Sequence, residues 1–275
     1  MSRFQDLFVE NPMLIEVRRY RRRMLGGGKG VNIAFLTLGT VCYIGLLLVV
    51  GSADGGVPAI AIVMLQTGVF ALGAPAVLNN AIAGEREKRT WDLLLAAPVT
   101  KAQIMIGKFA GAMTNLLLGA VLFLLPMFIC AVSYRDTDYV ALIWAEMDSI
   151  AFAVLACALT LLFSARCRRA FTALGVSLGM ILLGLIVYPT MIEAFGGADS
   201  TARDFLMTFH PFYVQEKLMN QRYIHDPIAQ APAGQAVFQI VIFLCLAAVL
   251  LVWTERTLTF SDNEVKFLPK QHARS

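Results

Sequence analysis

Six long apolar runs, separated by shorter polar stretches, make up most of this chain of 275 residues. The runs cover residues 31–50, 58–83, 109–133, 147–165, 170–192 and 235–254. Each is close to or above the length of about 20 residues that an α-helix needs to cross a bilayer. Because backbone polar groups in lipid must be satisfied within the segment, we expect all six runs to be helices. The pattern predicts an all-α polytopic membrane protein with six transmembrane helices in one transmembrane domain, residues 1–275.

Composition agrees with this architecture, and charge sets its orientation. Hydrophobic residues make up 58% of the chain and charged residues only 15%, which excludes a soluble domain of this length. If the N-terminus is cytoplasmic, 19 of the 23 Lys and Arg residues fall in the inner segments. Cytoplasmic loops carry such an excess, so we predict that both termini, including the tail 255–275, are cytoplasmic. The net charge of +4 then reflects orientation, and we expect no nucleic acid partner.

Residues 1–30 have the pattern of an amphipathic helix that lies in the membrane interface. Met13, Leu14 and Val17 fall on one face at helical spacing, and a group of arginines falls on the other. Such a basic face is attracted by anionic lipid headgroups. The same charges also satisfy the cytoplasmic bias of the loops, and both interpretations can hold. The arginines that we assign to the membrane interface are Arg18, Arg19, Arg22 and Arg23.

The stretch between the second and third runs, residues 84–101, carries the most specific pattern in the chain. Residues 85–89 are all charged, so the chain has reached water there, because each charge would cost several kcal/mol in hydrocarbon. Trp91, Leu94 and Leu95 then share one face of a short helix that ends before Pro98. Two turns are too short to be stable alone in water, so this helix needs a docking surface. The alternative is a solvated loop with an interfacial turn.

Two threonines mark helix starts around this segment. Thr90 is placed to cap the short helix, and Thr100 with Gln103 three residues later matches a capping box. We expect the helix that begins at Thr100 to run directly into the third span.

The segment resembles the signature of permease subunits of type-2 ABC transporters. In that family a Glu-Arg-Glu cluster follows the second span, and a threonine, a leucine-rich turn, a proline and a Gly-Lys pair come after it. One departure is Lys88-Arg89 before Thr90, where a glycine is frequent in the family, and we expect it to change the local turn. The matching residues are Glu85, Arg86, Glu87, Thr90, Leu93, Leu94, Leu95, Pro98, Gly107 and Lys108.

The resemblance implies that residues 85–101 hold a cytoplasmic coupling helix, seated in a cleft of a separate ABC ATPase subunit. It also implies an ATP-driven exporter in a bacterial cytoplasmic (inner) membrane, whose route is formed with a second permease copy or a homologous permease. The chain has no GxxxxGK[ST] motif, so ATP and Mg would be bound by the partner. We therefore expect a transport subunit with no enzyme activity, catalytic residue, cofactor or metal site of its own. The substrate stays open.

Two alternatives come from other functional classes. One is a membrane-embedded assembly or regulatory protein that recruits an ATPase without moving a solute. The other is an intramembrane serine protease, because residues 175–179 match G-x-S-x-G around Ser177. That chemistry needs a histidine base, and His210, His225 and His272 all lie outside the predicted spans. We therefore discount the protease and expect Ser177 to be a packing residue.

Polar side chains within the spans are few. We expect the main buried ones to form interhelical hydrogen bonds more than to bind a substrate in the pathway. We expect Asp148 and Glu193 to lie at the outer ends of their spans, within reach of water, which argues against an ion-coupled carrier. The polar residues expected to be buried are Gln66, Asn79, Asn80 and Asn115.

The longest non-spanning piece is the extracytoplasmic loop 193–235. Its pattern predicts two short helices, over residues 202–209 and 212–221, broken at His210-Pro211. Several aromatic side chains in these helices suit the membrane interface.

Overall fold

The computed structural model describes residues 43–50, 52, 58–91, 100–133, 138–195, 200–220 and 231–258, and every regular element in these ranges is helical. Five of these helices are long and apolar enough to cross a membrane. They correspond to the second to sixth predicted spans. Of the first span only residues 43–50 are described, and they are helical. The N-terminal segment with Arg18, Arg19, Arg22 and Arg23, and the tail beyond residue 258, lie outside the described residues.

The helices are labelled here in chain order. A π-helical turn, Leu183–Val187, joins the fifth and sixth of them into one long span. They are α1 (Ala59–Leu78), α2 (Ala83–Glu87), α3 (Lys101–Ser133), α4 (Tyr139–Arg166), α5 (Ala170–Leu182), α6 (Tyr188–Phe195), α7 (Ser200–Met207), α8 (Pro211–Asn220) and α9 (Ala231–Thr257).

Helix α4 lies at the centre of the bundle. It packs against α1, α3, α5, α8 and α9. Of the residues in its apolar stretch of 18, 67% are buried, whereas the corresponding share in α3 is 22%. Small side chains explain this position, because they let neighbouring helix backbones approach closely in a membrane protein. The buried alanines of α4 are Ala141, Ala145, Ala151, Ala153, Ala156, Ala158 and Ala165.

The two span prolines act differently. Pro126 lies inside α3, which continues to Ser133. Pro189 follows the π-helical turn, and its ring nitrogen cannot donate to the carbonyl of Leu185, four residues earlier. That carbonyl instead lies 3.0 Å from Nε2 of His210. Since a carbonyl only accepts, Nε2 of His210 carries the proton, and the side chain ties the loop to the span.

The predicted pair of short helices is confirmed as α7 and α8, with the break at residues 208–210. Asp204 on α7 accepts hydrogen bonds from Tyr213 (2.7 Å) and Lys217 (3.0 Å) on α8. Partial burial raises the pKa of Asp204, but these two bonds outweigh it and hold the pKa below its usual value. The aromatic rings of Phe205 and Phe209 pack on Phe238 of α9, with centroids 6.2 and 6.3 Å away.

Candidate functional site

The second predicted span is interrupted just before the charged segment. Helix α1 ends at Leu78, residues 79–82 are irregular, and α2 begins at Ala83. The buried hydroxyl of Ser164, on α4, lies in this gap. Its oxygen accepts from the backbone N–H of Ile82 (3.0 Å) and of Ala83 (3.2 Å), and it donates to the carbonyl of Asn79 (2.9 Å). One side chain from a neighbouring helix therefore satisfies backbone groups on both sides of the break.

The three charged residues of α2 contact three different helices. Glu85 forms an ion pair with Lys108 of α3. The Arg86 guanidinium donates to the carbonyl of Ala165, at the end of α4, at 2.5 Å. The Glu87 carboxylate accepts from the backbone N–H of Ala170, the first residue of α5, at 3.2 Å. We call Glu85, Arg86 and Glu87 the Glu-Arg-Glu clamp, since together they bind the ends of three spans.

The order of charges in the clamp suits the helix ends that it contacts. A helix carries partial positive charge at its N-terminus and partial negative charge at its C-terminus. The Glu87 carboxylate lies at the N-terminus of α5, and the Arg86 guanidinium lies at the C-terminus of α4. Each such contact is worth about 0.3–1 kcal/mol near a surface. The alternation Glu-Arg-Glu therefore has a structural reason within this chain.

Helix α2 ends in a Schellman motif. The N–H of Arg89 bonds the carbonyl of Arg86 (3.1 Å), and the N–H of Thr90 bonds the carbonyl of Glu85 (2.9 Å). Arg89 has a φ of 57°, in the left-handed region that glycine adopts more readily. The turn that glycine favours is thus formed here by an arginine. It reverses the chain directly before Trp91.

Trp91 is the last described residue before a gap at residues 92–99. Its side chain is partly buried against the main apolar core, and the Arg86 guanidinium lies 5.5 Å from its ring centroid. Trp91 therefore connects the start of the predicted coupling helix to the bundle. The rest of that helix, with Leu94, Leu95 and Pro98, lies outside the described residues, and its docking role stays a prediction.

The capping box after this gap is confirmed. The N–H of Thr100 donates to the Gln103 side-chain oxygen at 2.9 Å, and the N–H of Gln103 donates to the Thr100 hydroxyl at 3.2 Å. Helix α3 then runs without interruption from Lys101 into the third span, as the pattern predicts.

The four polar residues predicted to be buried do not form one group. Gln66 is buried and donates to Glu146 of α4 at 2.7 Å, so the interhelical hydrogen bond is confirmed. Asn79 is half-buried at the helix break. Asn80 and Asn115 are exposed in the chain, and the prediction of burial was wrong for both. Asn115 lies on the outward face of α3 together with exposed leucines. Both faces of this helix are apolar, so composition alone does not show which face points outward.

The exposure to water predicted for Asp148 was also wrong, whereas Glu193 is exposed as expected and forms an ion pair with Arg203. Helix α4 begins at Tyr139, well before the apolar run, so Asp148 lies inside the helix. Helix α8 packs over it, and its side chain is fully buried. The carboxylate accepts from Gln215 of α8 at 3.1 Å. The bundle therefore contains a buried carboxylate, of the kind that ion-coupled carriers use.

The protease alternative gains no support from the geometry. The Ser177 hydroxyl donates to the carbonyls of Ala173 and Leu174 in its own helix, at 2.7 and 3.1 Å. His210 is engaged with Leu185. A nucleophile must instead be hydrogen-bonded to its base, so Ser177 fits the predicted packing role.

One family comparison identifies the class of protein. The family described as ABC-2 family transporter protein matches residues 51–263, a range that includes all nine labelled helices and the clamp. No curated protein matches the chain. The family match covers most of the chain and agrees with its five apolar helices of spanning length. This integral membrane protein therefore belongs to the ABC-2 transporter family, as a permease subunit of an ABC transporter.

Proposed function

We propose that this permease belongs to an exporter in a bacterial inner membrane. Two permease chains form the route, and a separate ATPase docks on residues 85–101. The observation that carries the proposal is the Glu-Arg-Glu clamp. It joins the segment before Trp91 to Lys108 on α3, Ala165 on α4 and Ala170 on α5. A displacement of the docking segment is therefore transmitted to three spans at once.

The break between α1 and α2 adds a place for this movement to occur. Residues 79–82 are not helical, and a few backbone bonds such as Ala81 N–H to the Leu78 carbonyl hold them together with the side-chain bonds of Ser164. Such short irregular segments absorb backbone rotation when rigid elements move. In our proposal, nucleotide-driven closure of the ATPase moves the coupling helix and α2 together, and α1 pivots at the break. ATP and Mg are bound by the ATPase partner.

The outward faces of the bundle support pairing with a second permease chain. Leu118, Leu122 and Leu125 of α3 are all exposed. Only 22% of the residues in the apolar stretch of α3 are buried within this chain. A Cβ placed on Gly175 or Gly179 of α5 would meet nothing within 4 Å. We propose that lipid covers part of this surface and the second chain covers the rest.

Docking is tested by purifying the tagged chain from its native membrane in a mild detergent. We expect a Walker-motif ATPase to co-purify with the wild type and to be lost in the double variant Leu94→Asp/Leu95→Asp. Leu93→Asp makes the same chemical change on the opposite side of the predicted helix, and it should retain the ATPase. Recovery of the ATPase with the wild type and with both variants, or with none of these three proteins, would refute docking through this face.

The clamp distinguishes an exporter from a protein that only recruits an ATPase. Arg86→Met removes the bond to Ala165 and the contact with the Trp91 ring, and it leaves the docking-face side chains Leu94 and Leu95 unchanged. In an exporter, the ATPase should stay bound while ATP hydrolysis by the complex changes at least about threefold, because the coupling segment loses its bond to α4, the central helix of the bundle. Unchanged hydrolysis would favour the assembly or regulatory alternative.

A further inference from the structure

A second polar group is buried in the bundle, far from the clamp. It lies where α1, α4, α8 and α9 meet, and its members are Thr67, Asp148, Ser149, Gln215 and Gln239. All five side chains are at most 1% exposed. Asp148 is 18 residues before Arg166 in α4, or about 27 Å at 1.5 Å per residue. The group is therefore near the opposite membrane face from the clamp, beneath α8.

Hydrogen bonds join four of these residues. The Thr67 hydroxyl donates to the Ser149 hydroxyl at 3.0 Å, and the Gln215 amide donates to Thr67 at 3.0 Å and to Asp148 Oδ2 at 3.1 Å. Gln215 therefore bridges the two spans from the short helix α8. This side chain closes the group on the side of the predicted extracytoplasmic loop.

Several polar atoms in the group have no hydrogen-bond partner among the described residues. They are Asp148 Oδ1 and both amide atoms of Gln239. The register of α4 and α9 puts these two side chains at one level. The rings of Phe152 and Phe243 are 5.9 Å apart, and Arg166 lies 4.4 Å from the Trp253 ring further along both helices. The helices thus run parallel, and Asp148 and Gln239 each lie one turn before the phenylalanine pair.

The Asp148 carboxylate also has no counter-charge among the described residues. It is in none of the ion pairs there, and α1 carries no ionisable side chain. The two residues that follow Gln215 supply no counter-charge to Asp148, because Glu216 is acidic and Lys217 is paired with Asp204. A buried carboxylate without a counter-charge costs several kcal/mol, and native structures rarely leave such a group uncompensated.

We propose that this group binds a dehydrated monovalent metal cation, Na⁺. One carboxylate balances one positive charge, and two hydroxyls and two amide oxygens supply neutral ligands. Divalent Ca²⁺ is usually held by more carboxylates than one. Reorientation of the Gln215 amide would turn its oxygen towards the cation, and amide orientation follows the hydrogen-bonding partners present. Glu146, two residues earlier in α4, lies on another side of the helix and is bonded to Gln66, so Asp148 is the carboxylate that this group contains.

The position of Gln215 gives the cation a role in the transport cycle. Because one ligand lies on α8 and the others lie on spans, bound Na⁺ would hold the short helix against α1 and α4. Release of Na⁺ would free α8 to move. This inference concerns the chain alone and does not depend on ATPase docking, so either proposal can fail without the other.

The test is the thermal unfolding of the full chain in detergent, in NaCl, KCl or N-methylglucamine chloride at constant ionic strength and pH. We expect Na⁺ to raise the Tm in a saturable way, by roughly 5 °C, and KCl to raise it less. Asp148→Asn should abolish the Na⁺ response. Glu193→Gln, which removes an exposed carboxylate, should retain it in full.

Gln239→Leu provides a second test, in case Asp148→Asn does not fold. If the group binds Na⁺, Gln239→Leu should weaken the affinity for Na⁺ at least about threefold. If the group holds only water, the Tm of Gln239→Leu should depend on salt as the Tm of the wild type does. An equal Tm in all three salts, dependence on pH without dependence on Na⁺, or a full Na⁺ response in either variant would overturn the proposal.

Discussion

Ser164→Ala tests whether the helix break is held by one hydroxyl. The substitution removes the acceptor for two backbone N–H groups, those of Ile82 and Ala83, and the donor for the carbonyl of Asn79. A buried polar group left without a partner costs about 1–3 kcal/mol, but hydrogen bonds between membrane helices average about 0.6 kcal/mol. Three lost bonds therefore predict a loss of about 2–4 kcal/mol in the free energy of unfolding.

Ser177→Ala is the matched control, because it makes the same change at another fully buried serine. The Ser177 hydroxyl bonds only to carbonyls of its own helix, which keep their helical partners. We expect a change of at most about 0.5 kcal/mol. The break should also loosen in Ser164→Ala, so the N–H groups of Ile82 and Ala83 should exchange with solvent faster than those of α1.

The measurement is unfolding of both variants in the same detergent, followed by tryptophan fluorescence and compared with the wild type. We expect Ser164→Ala to lower the Tm by about 5–10 °C and Ser177→Ala to leave it within about 2 °C. Equal effects of the two substitutions, or a loss below about 1 kcal/mol for Ser164→Ala, would refute the assignment of a capping role to Ser164.

Substitutions at three further positions test the turn, the loop anchor and the clamp. Arg89→Gly should stabilise the chain by about 0.5–1 kcal/mol, because glycine adopts the positive φ without strain, and Arg89→Ala should not. Equal Tm values for these two variants would contradict backbone strain at Arg89. Burial lowers the pKa of His210 below 6.5, so its contribution to stability is present above pH 6.5 and is lost as the pH falls. His210→Gln, measured as Tm against pH, should flatten this dependence between about pH 5 and 7, and an unchanged slope would exclude His210 as its source. Glu87→Gln should cost about 0.5–1 kcal/mol, more at low salt than at high salt, and a salt-independent effect would argue against the helix-end contact at Ala170.

Local sequence patterns predicted the elements well. The apolar runs located the five described spans, and the Thr100-Gln103 spacing identified a capping box that the structure contains. The two short helices and their break at His210-Pro211 also followed from local pattern. These features depend on residues within one or two turns of each other, so a single stretch of sequence contains the information. The docking face of the coupling helix remains a prediction from pattern and resemblance.

The candidate site required the tertiary structure. Ser164 reaches a break 82 residues earlier in the chain, and the clamp binds residues from 23 to 83 positions away. Hydropathy marks a residue as apolar or polar but does not say which face of a helix meets which neighbour. For this reason Asn115 was expected inside and lies outside, and Asp148 was expected in water and is buried. The sequence by itself determined where the spans are, because burial in lipid depends on local composition. Only the packing of the spans decided which polar groups meet, because those contacts depend on the rotation of each helix about its axis.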